Sequence, residues 1–180
     1  MSLNIIHQKI AKCQLCELHK TRKKTVPGEG NPNSKIIFVG EGPGKKEDET
    51  GKPFHGAAGK ILTEILSHID ITRDDVFITS ILKCRPPKNR LPKKTEAEIC
   101  IKKYLVPQIK SIKPKIIVLM GLSAIKHVFG KLDIAIEHGT FKEKDGKKYF
   151  ITYHPAAVIY RRQLMDVIKK DFEILRLEIQ

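Results

Sequence analysis

The sequence predicts an α/β fold: a three-layer α/β/α sandwich around a central four-stranded parallel sheet. Three observations predict it. Four short runs, at residues 36–39, 76–80, 116–120 and 149–152, have the length and the β-branched and aromatic content of buried strands. Amphipathic stretches with helical spacing separate them. Alternation of this kind needs crossover connections, which place helices on both faces of a parallel sheet. The chain of 180 residues suffices for one domain with its own core, so 1–180 is expected to fold as a single unit.

The elements follow in order. Leu3, Ile6 and Ile10 recur at helical spacing and run into Cys13 and Cys16, so a short amphipathic helix delivers two thiols to a turn. A basic segment, 20–24, comes next. Ile36, Ile37, Phe38 and Val39 form the first strand, buried on both faces, which stops at Gly40, Gly42, Pro43 and Gly44. Ala58, Ile61, Leu62, Ile65, Leu66 and Ile69 mark one face of the helix that packs back on it.

After the strand at 76–80, a helix is expected over 95–112 with Thr95 as its N-cap. A strand at 116–120 and a helix at 122–129 complete the next unit. Residues 131–148 are polar and read as a hairpin or loop before the last strand, and Leu164, Val167, Ile168, Phe172, Leu175 and Ile179 give a closing helix. In an open parallel sheet the crevice lies at the carboxyl ends of the strands. Residues 40–44, 80–90, 121 and 153–157 fall there.

Composition narrows the function. Hydrophobic residues at 41% and charged residues at 30% exclude a disordered chain. Thirty-four Lys and Arg against 20 Asp and Glu give a net charge of +14, which points to a polyanionic partner, nucleic acid being the commonest; a merely solvated lysine-rich surface is the alternative. No apolar run approaches the ~18 residues that span a bilayer, and residues 1–12 lack a signal-peptide core. A cytoplasmic protein without membrane attachment is expected. In that reducing compartment cysteines favour metal ligation over disulfides.

Cys13 and Cys16 form a close pair, with Cys84 and Cys100 far along the chain. A close pair fixes two ligands on one turn, and the distant two complete a four-thiolate site on folding. Four thiolates suit zinc or an iron–sulfur cluster; the lack of a second close pair favours the four-iron cluster. Cys84 and Cys100 as plain buried thiols is the third alternative, opposed by the flanking Lys83 and Arg85.

The loop Gly40-Glu41-Gly42-Pro43-Gly44 lacks the glycine spacing of a dinucleotide fold and the ending of a phosphate loop. It offers close backbone approach and free amides in the crevice, with Glu41, Glu47 and Asp48 nearby. His154, before Pro155, stands where it could donate to a developing anion. Residues 83–94 hold six basic residues, three prolines and no acid, which reads as a stiff clamp on phosphates. Lys83, Arg85, Lys88 and Arg90 are its candidate contacts, joined beyond the His154 loop by Arg161 and Arg162.

Taken together, Gly40 to Gly44 with Glu47-Asp48 and Gly51 to Phe54, Lys83-Cys84-Arg85-Pro86-Pro87 through Asn89-Arg90, and His154-Pro155-Ala156-Ala157 resemble the family 4 uracil-DNA glycosylases, the iron–sulfur type of bacteria and archaea. The resemblance extends over nearly the whole chain. It implies a monomeric base-excision repair enzyme that flips uracil out of DNA and hydrolyses its N-glycosidic bond, with a 4Fe-4S cluster on Cys13, Cys16, Cys84 and Cys100 tying the N-terminal segment to the 84–100 region.

By the same resemblance His154 donates to the uracil O2, backbone amides near Glu41 and Gly42 hold other edges, Phe54 stacks on the base, and Glu47 crowds the place of a thymine methyl. Glu41 is the candidate for orienting water or sugar charge, with Asn89 supporting it. Ser80 stands where the family commonly has Asn, which implies altered uracil selectivity and keeps open a glycosylase for another deaminated base. A non-catalytic nucleic-acid-binding protein with structural zinc is the remaining alternative. Repair partners such as a sliding clamp leave no legible motif.

Overall fold

A computed structural model describes residues 1–179. The chain runs α1 (Leu3–Ala11), β1 (Glu29–Gly30), β2 (Ile36–Gly40), α2 (Lys45–Thr50), α3 (Ala57–His68), β3 (Phe77–Ser80), α4 (Lys94–Cys100), α5 (Val106–Ile112), β4 (Ile116–Met120), α6 (Leu122–Phe129), α7 (Ile134–Glu137), β5 (Thr140–Lys144), β6 (Lys147–Thr152), α8 (Ala157–Tyr160) and α9 (Leu164–Ile179). Ser2 caps α1 through its hydroxyl, and the buried Ile6 and Ile10 set the face that meets the sheet.

The sheet order is β1-β3-β2-β4-β6-β5. Its four central strands are parallel, as the apolar runs predict. Two edge strands correct the four-stranded expectation: β1 pairs antiparallel with β3, and β5 pairs antiparallel with β6 to make a six-stranded mixed sheet. The 131–148 segment is the hairpin, with the short helix α7 inserted before it. Edge strands this short, or as charged as Thr140–Lys144, leave few open backbone groups for another chain to pair with.

Alternation along the central strands divides the core into two layers. Ile37, Val39, Ile117, Leu119 and Ile151 face the side of α1, α5 and α6. Ile36, Phe38, Ile116, Val118 and Phe150 face α3 and α9, where Phe38 stacks on Phe172 with ring centres 5.6 Å apart. Registers bring Gly40 opposite Ser80 and Met120 opposite Thr152, so all four central strands end together. The three-layer architecture thereby presents four loops along one edge.

The helix expected over 95–112 has two corrections. Lys93, not Thr95, is the N-cap, and the Glu96 carboxylate accepts its backbone N–H at 2.9 Å. Between Cys100 and Val106 the helix widens into a π-turn, Ile101–Leu105, in which the Val106 N–H reaches back to the Ile101 carbonyl. Pro107 follows and has no N–H to continue the ordinary ladder. Among the described residues, no helix is long and apolar enough to cross a membrane.

Candidate active site

The strand ends enclose a cavity of about 200 Å³ that brings together Glu41, Gly42, Glu47, Phe54, Ser80 and His154, the residues nominated for the base. Gly40 ends β2 beside the edge of the Phe54 ring: a Cβ there would lie 2.7 Å from the ring Cζ, so only glycine admits the ring at the strand end. One face of Phe54 stacks on His154, with centres 5.4 Å apart and planes 26° from parallel. Gly121, at the end of β4 with φ 87, makes the matching space behind His154, where a Cβ would come within 2.7 Å of the histidine Cβ.

The state of His154 follows from its contacts. Its Nδ1 accepts the Ala156 backbone N–H at 3.1 Å, which places the ring proton on Nε2. Burial lowers the imidazole from 6.5 to about 4, with the Glu47 charge pulling weakly the other way. A neutral ring with one N–H donor is therefore held in the cavity at neutral pH.

The carboxylates differ in setting. Burial raises the Glu41 carboxyl above its usual range, and a Ser123 hydroxyl bond opposes the shift. Glu47 is fully engaged by backbone: one oxygen accepts from Gly44 at 3.1 Å, the other from His55 and Gly56 at 2.8 Å each. Asn89 lines the cavity, but its Oδ1 accepts from Arg85 Nε at 2.7 Å, which ties it to the basic loop and not to Glu41. Ser80 is buried at the strand end, and its carbonyl accepts from Lys83 Nζ at 2.7 Å.

That last bond overturns one expectation. Lys83 is 1% exposed and also donates to Thr79 Oγ1 at 2.6 Å, so it cannot touch a phosphate. Arg90 is paired bidentately with Glu96 at 2.7 and 2.9 Å and is not a free cation either. Lys88 is exposed and Arg85 partly so. Arg161 and Arg162 stand fully at the surface after α8. A second groove of about 790 Å³ shares Glu41, Gly42 and His154 with the cavity and continues past Lys94, Lys126 and the exposed Tyr160.

The four cysteines are free and pack into one side of the core. The Arg22 guanidinium reaches Cys84 Sγ at 3.2 Å, and Tyr104 packs in the same buried cluster as Cys13. Burial pushes the Cys84 thiol up to about 11, opposed by Arg22. It pushes the Lys83 ammonium down to about 7, opposed by the Cys100 and Cys84 sulfurs. A guanidinium on Cys84 and a buried lysine alongside suit an anionic four-thiolate group. Among the described residues, no three His, Cys, Asp or Glu are grouped so as to hold a single metal ion.

Arg22, Tyr104 and Ser123 went unnoticed in the sequence. Arg22 lies 62 positions from Cys84, and nothing in the basic run 20–24 separates it from its neighbours.

Strand ends, a base-sized cavity and a neutral histidine set into its wall define the site. Residues 27–176 match the uracil DNA glycosylase superfamily, and the chain belongs to that superfamily. Within it the identity is higher to type-4 enzymes than to type-5 ones. The chain is 45% identical to the type-4 uracil-DNA glycosylase of Archaeoglobus fulgidus, over 96% of this chain and 90% of that protein. It is 39% identical to the type-4 enzyme of Thermotoga maritima, over 95% and 91%. A type-5 uracil-DNA glycosylase of Pyrobaculum aerophilum is 29% identical over 74% of this chain and 66% of its own length.

Proposed function

We propose that this protein removes uracil from DNA by hydrolysing its N-glycosidic bond, releasing free uracil and leaving an abasic site, the opening step of base-excision repair. The observation that carries the reading is the neutral His154 with its proton on Nε2, stacked against Phe54 in a cavity at the strand ends. As the bond between N1 and C1′ breaks, negative charge moves onto the uracil and positive charge onto the sugar. A preorganised neutral donor at O2 stabilises the departing anion without the cost of placing a positive charge on a desolvated imidazole. Water adds to C1′, and the anion takes up the proton released.

Phe54 supplies stacking to the flipped base, and backbone amides at Glu41 and Gly42 meet its other edges. Glu41, which shares the adjoining groove with Ser123, is our candidate for orienting the water. Glu47 stands at the wall where a thymine methyl would fall. Ser80 offers a hydroxyl to the polar edge of the base, shorter than an amide and able to act through a bridging water. The protein acts as a monomer on uracil-containing DNA in the cytoplasm, with Arg85, Lys88, Arg161 and Arg162 on phosphates.

Cys13, Cys16, Cys84 and Cys100 would hold a 4Fe-4S cluster, a group that supplies a rigid cross-link and a fixed local charge and takes no part in the hydrolysis. The residues brace residues 83–90 against the N-terminal turn. Cys84→Ser is expected to lose iron and DNA affinity together, read by iron content and by binding to an abasic-site duplex; full affinity in iron-free protein would overturn the bracing role.

The test of the function is incubation of the purified protein with oligonucleotides carrying a single uracil or a single hypoxanthine, with assay of free base and alkali-labile sites. Uracil release supports the reading. Release of hypoxanthine alone favours the other deaminated base that Ser80 leaves open, and no release from an iron-containing preparation rejects both.

A further inference from the structure

We propose that Arg73 is a positioning residue for the base cavity, gripping the backbone of Phe54 from behind and so setting the face on which the base stacks. The proposal rests on the reading of Phe54 as the stacking surface. Phe54 has φ 51, the left-handed region that non-glycine residues rarely occupy, and its ring meets the end of β2 by its edge and His154 by one face. A side chain held in that backbone state persists only where its surroundings over-determine it.

The surroundings are two opposed charges. On one side the Glu47 carboxylate takes the N–H groups of His55 and Gly56 at 2.8 Å each. On the other, the Arg73 guanidinium donates to the carbonyls of Pro53 at 2.8 Å and Phe54 at 3.3 Å. Arg73 is aimed by Glu29, which accepts from it at 2.9 Å and sits on the edge strand β1. An anion on the amides and a cation on the carbonyls fix the peptides on both sides of Phe54.

The chemistry asks for arginine. A planar fork can span two successive carbonyls and a carboxylate at once, whereas an ammonium is a single point charge. Arg73 lies in the turn between α3 and β3, at the opposite end of β3 from Ser80 and outside every strand-end motif, and its side chain is largely covered. Because Phe54 also covers His154, loosening its backbone admits water to the imidazole.

The test compares Arg73→Met, Arg73→Lys and Glu29→Gln with wild type. Four readouts are taken: inhibition by free uracil, KM and kcat on a single-uracil oligonucleotide, affinity for an abasic-site duplex, and the His154 titration followed by NMR. Arg73→Met is expected to weaken uracil inhibition and raise KM by about tenfold with a smaller change in kcat, as loss of a charge-assisted clamp implies. Affinity for the abasic duplex stays at the wild-type value, and His154 titrates nearer to its ordinary range. Arg73→Lys does not rescue, and Glu29→Gln, the milder variant, moves each readout the same way by a smaller factor.

An unchanged His154 titration, full rescue by lysine, or a parallel loss of abasic-duplex affinity would overturn the positioning role. The titration needs no substrate, so the proposal stands or falls on it even if the wild-type protein releases no uracil, an outcome that would reject the function instead.

Discussion

His154 carries a stability signature as well as a chemical one. Burial holds its imidazole at about 4 against an ordinary 6.5, so between those values the unfolded chain binds a proton that the folded chain refuses. Where the unfolded state binds more protons, stability rises with pH. This group therefore withdraws stability as pH falls from about 6.5 to about 4 and contributes no pH dependence above that window. His154→Gln, which cannot take up the proton, is expected to show a smaller fall in Tm than wild type between pH 6.5 and 4, read by thermal unfolding in matched buffers; an identical fall would place the titration elsewhere. At this scale the sequence was informative where chemistry sits in short motifs: His154 and the four cysteines could be picked out by type and spacing, and Phe54 and Glu47 through the family resemblance. It misled at Lys83, because a lysine in a basic run looks solvated until β3 and the cysteine-bearing helix close over it. Arg22, Tyr104 and Arg73 were silent because their partners are brought by the fold and not by neighbouring sequence.

Turns between elements place these side chains, and the turn from β4 to α6 shows how tightly. Gly121 has φ 87 and leaves no room for a Cβ beside His154, while Gly130, at the far end of α6 with φ 80, has nothing within 4 Å of the same added atom. Alanine at either position forces an L residue into a glycine conformation, costing roughly 1–3 kcal/mol. Both variants are expected to lose stability, Gly121→Ala the more because its Cβ also meets His154. Only Gly121→Ala also displaces His154, and kcat on a uracil oligonucleotide is expected to fall about a hundredfold, as small misplacements of a reacting group do. Equal activities of the two variants in a single-turnover assay would contradict this geometry. Strands buried on both faces were legible because a continuous apolar run has few other uses. The edge strands were not: β1 is two residues long and β5, Thr-Phe-Lys-Glu-Lys, is as polar as a loop. The π-turn left no more trace than Pro107, which helices admit near their starts in any case.

Over the whole molecule, a net charge of +14 surrounds a site whose cations are unequally free. Lys83 is spent inside the core and Arg90 on Glu96, so the basic loop offers fewer phosphate contacts than its composition suggests. The three-layer core holds the strand ends in register, and Arg161 and Arg162, exposed after α8, add free cations to Lys88 and the partly exposed Arg85. Binding that neutralises phosphates releases counterions, and the logarithm of affinity falls with the logarithm of salt by about 0.9 per contact on duplex DNA. The double variant Arg161→Ala with Arg162→Ala is therefore expected to reduce that slope by about 2, measured by fluorescence anisotropy on an abasic-site duplex over a range of salt. Arg90→Ala should leave the slope nearly unchanged, since it removes a cation already neutralised by Glu96. A slope that falls as much for Arg90→Ala as for a surface arginine would mean that DNA displaces Glu96 and recruits Arg90, and that the face seen by DNA is wider than the free cations of the unbound protein define.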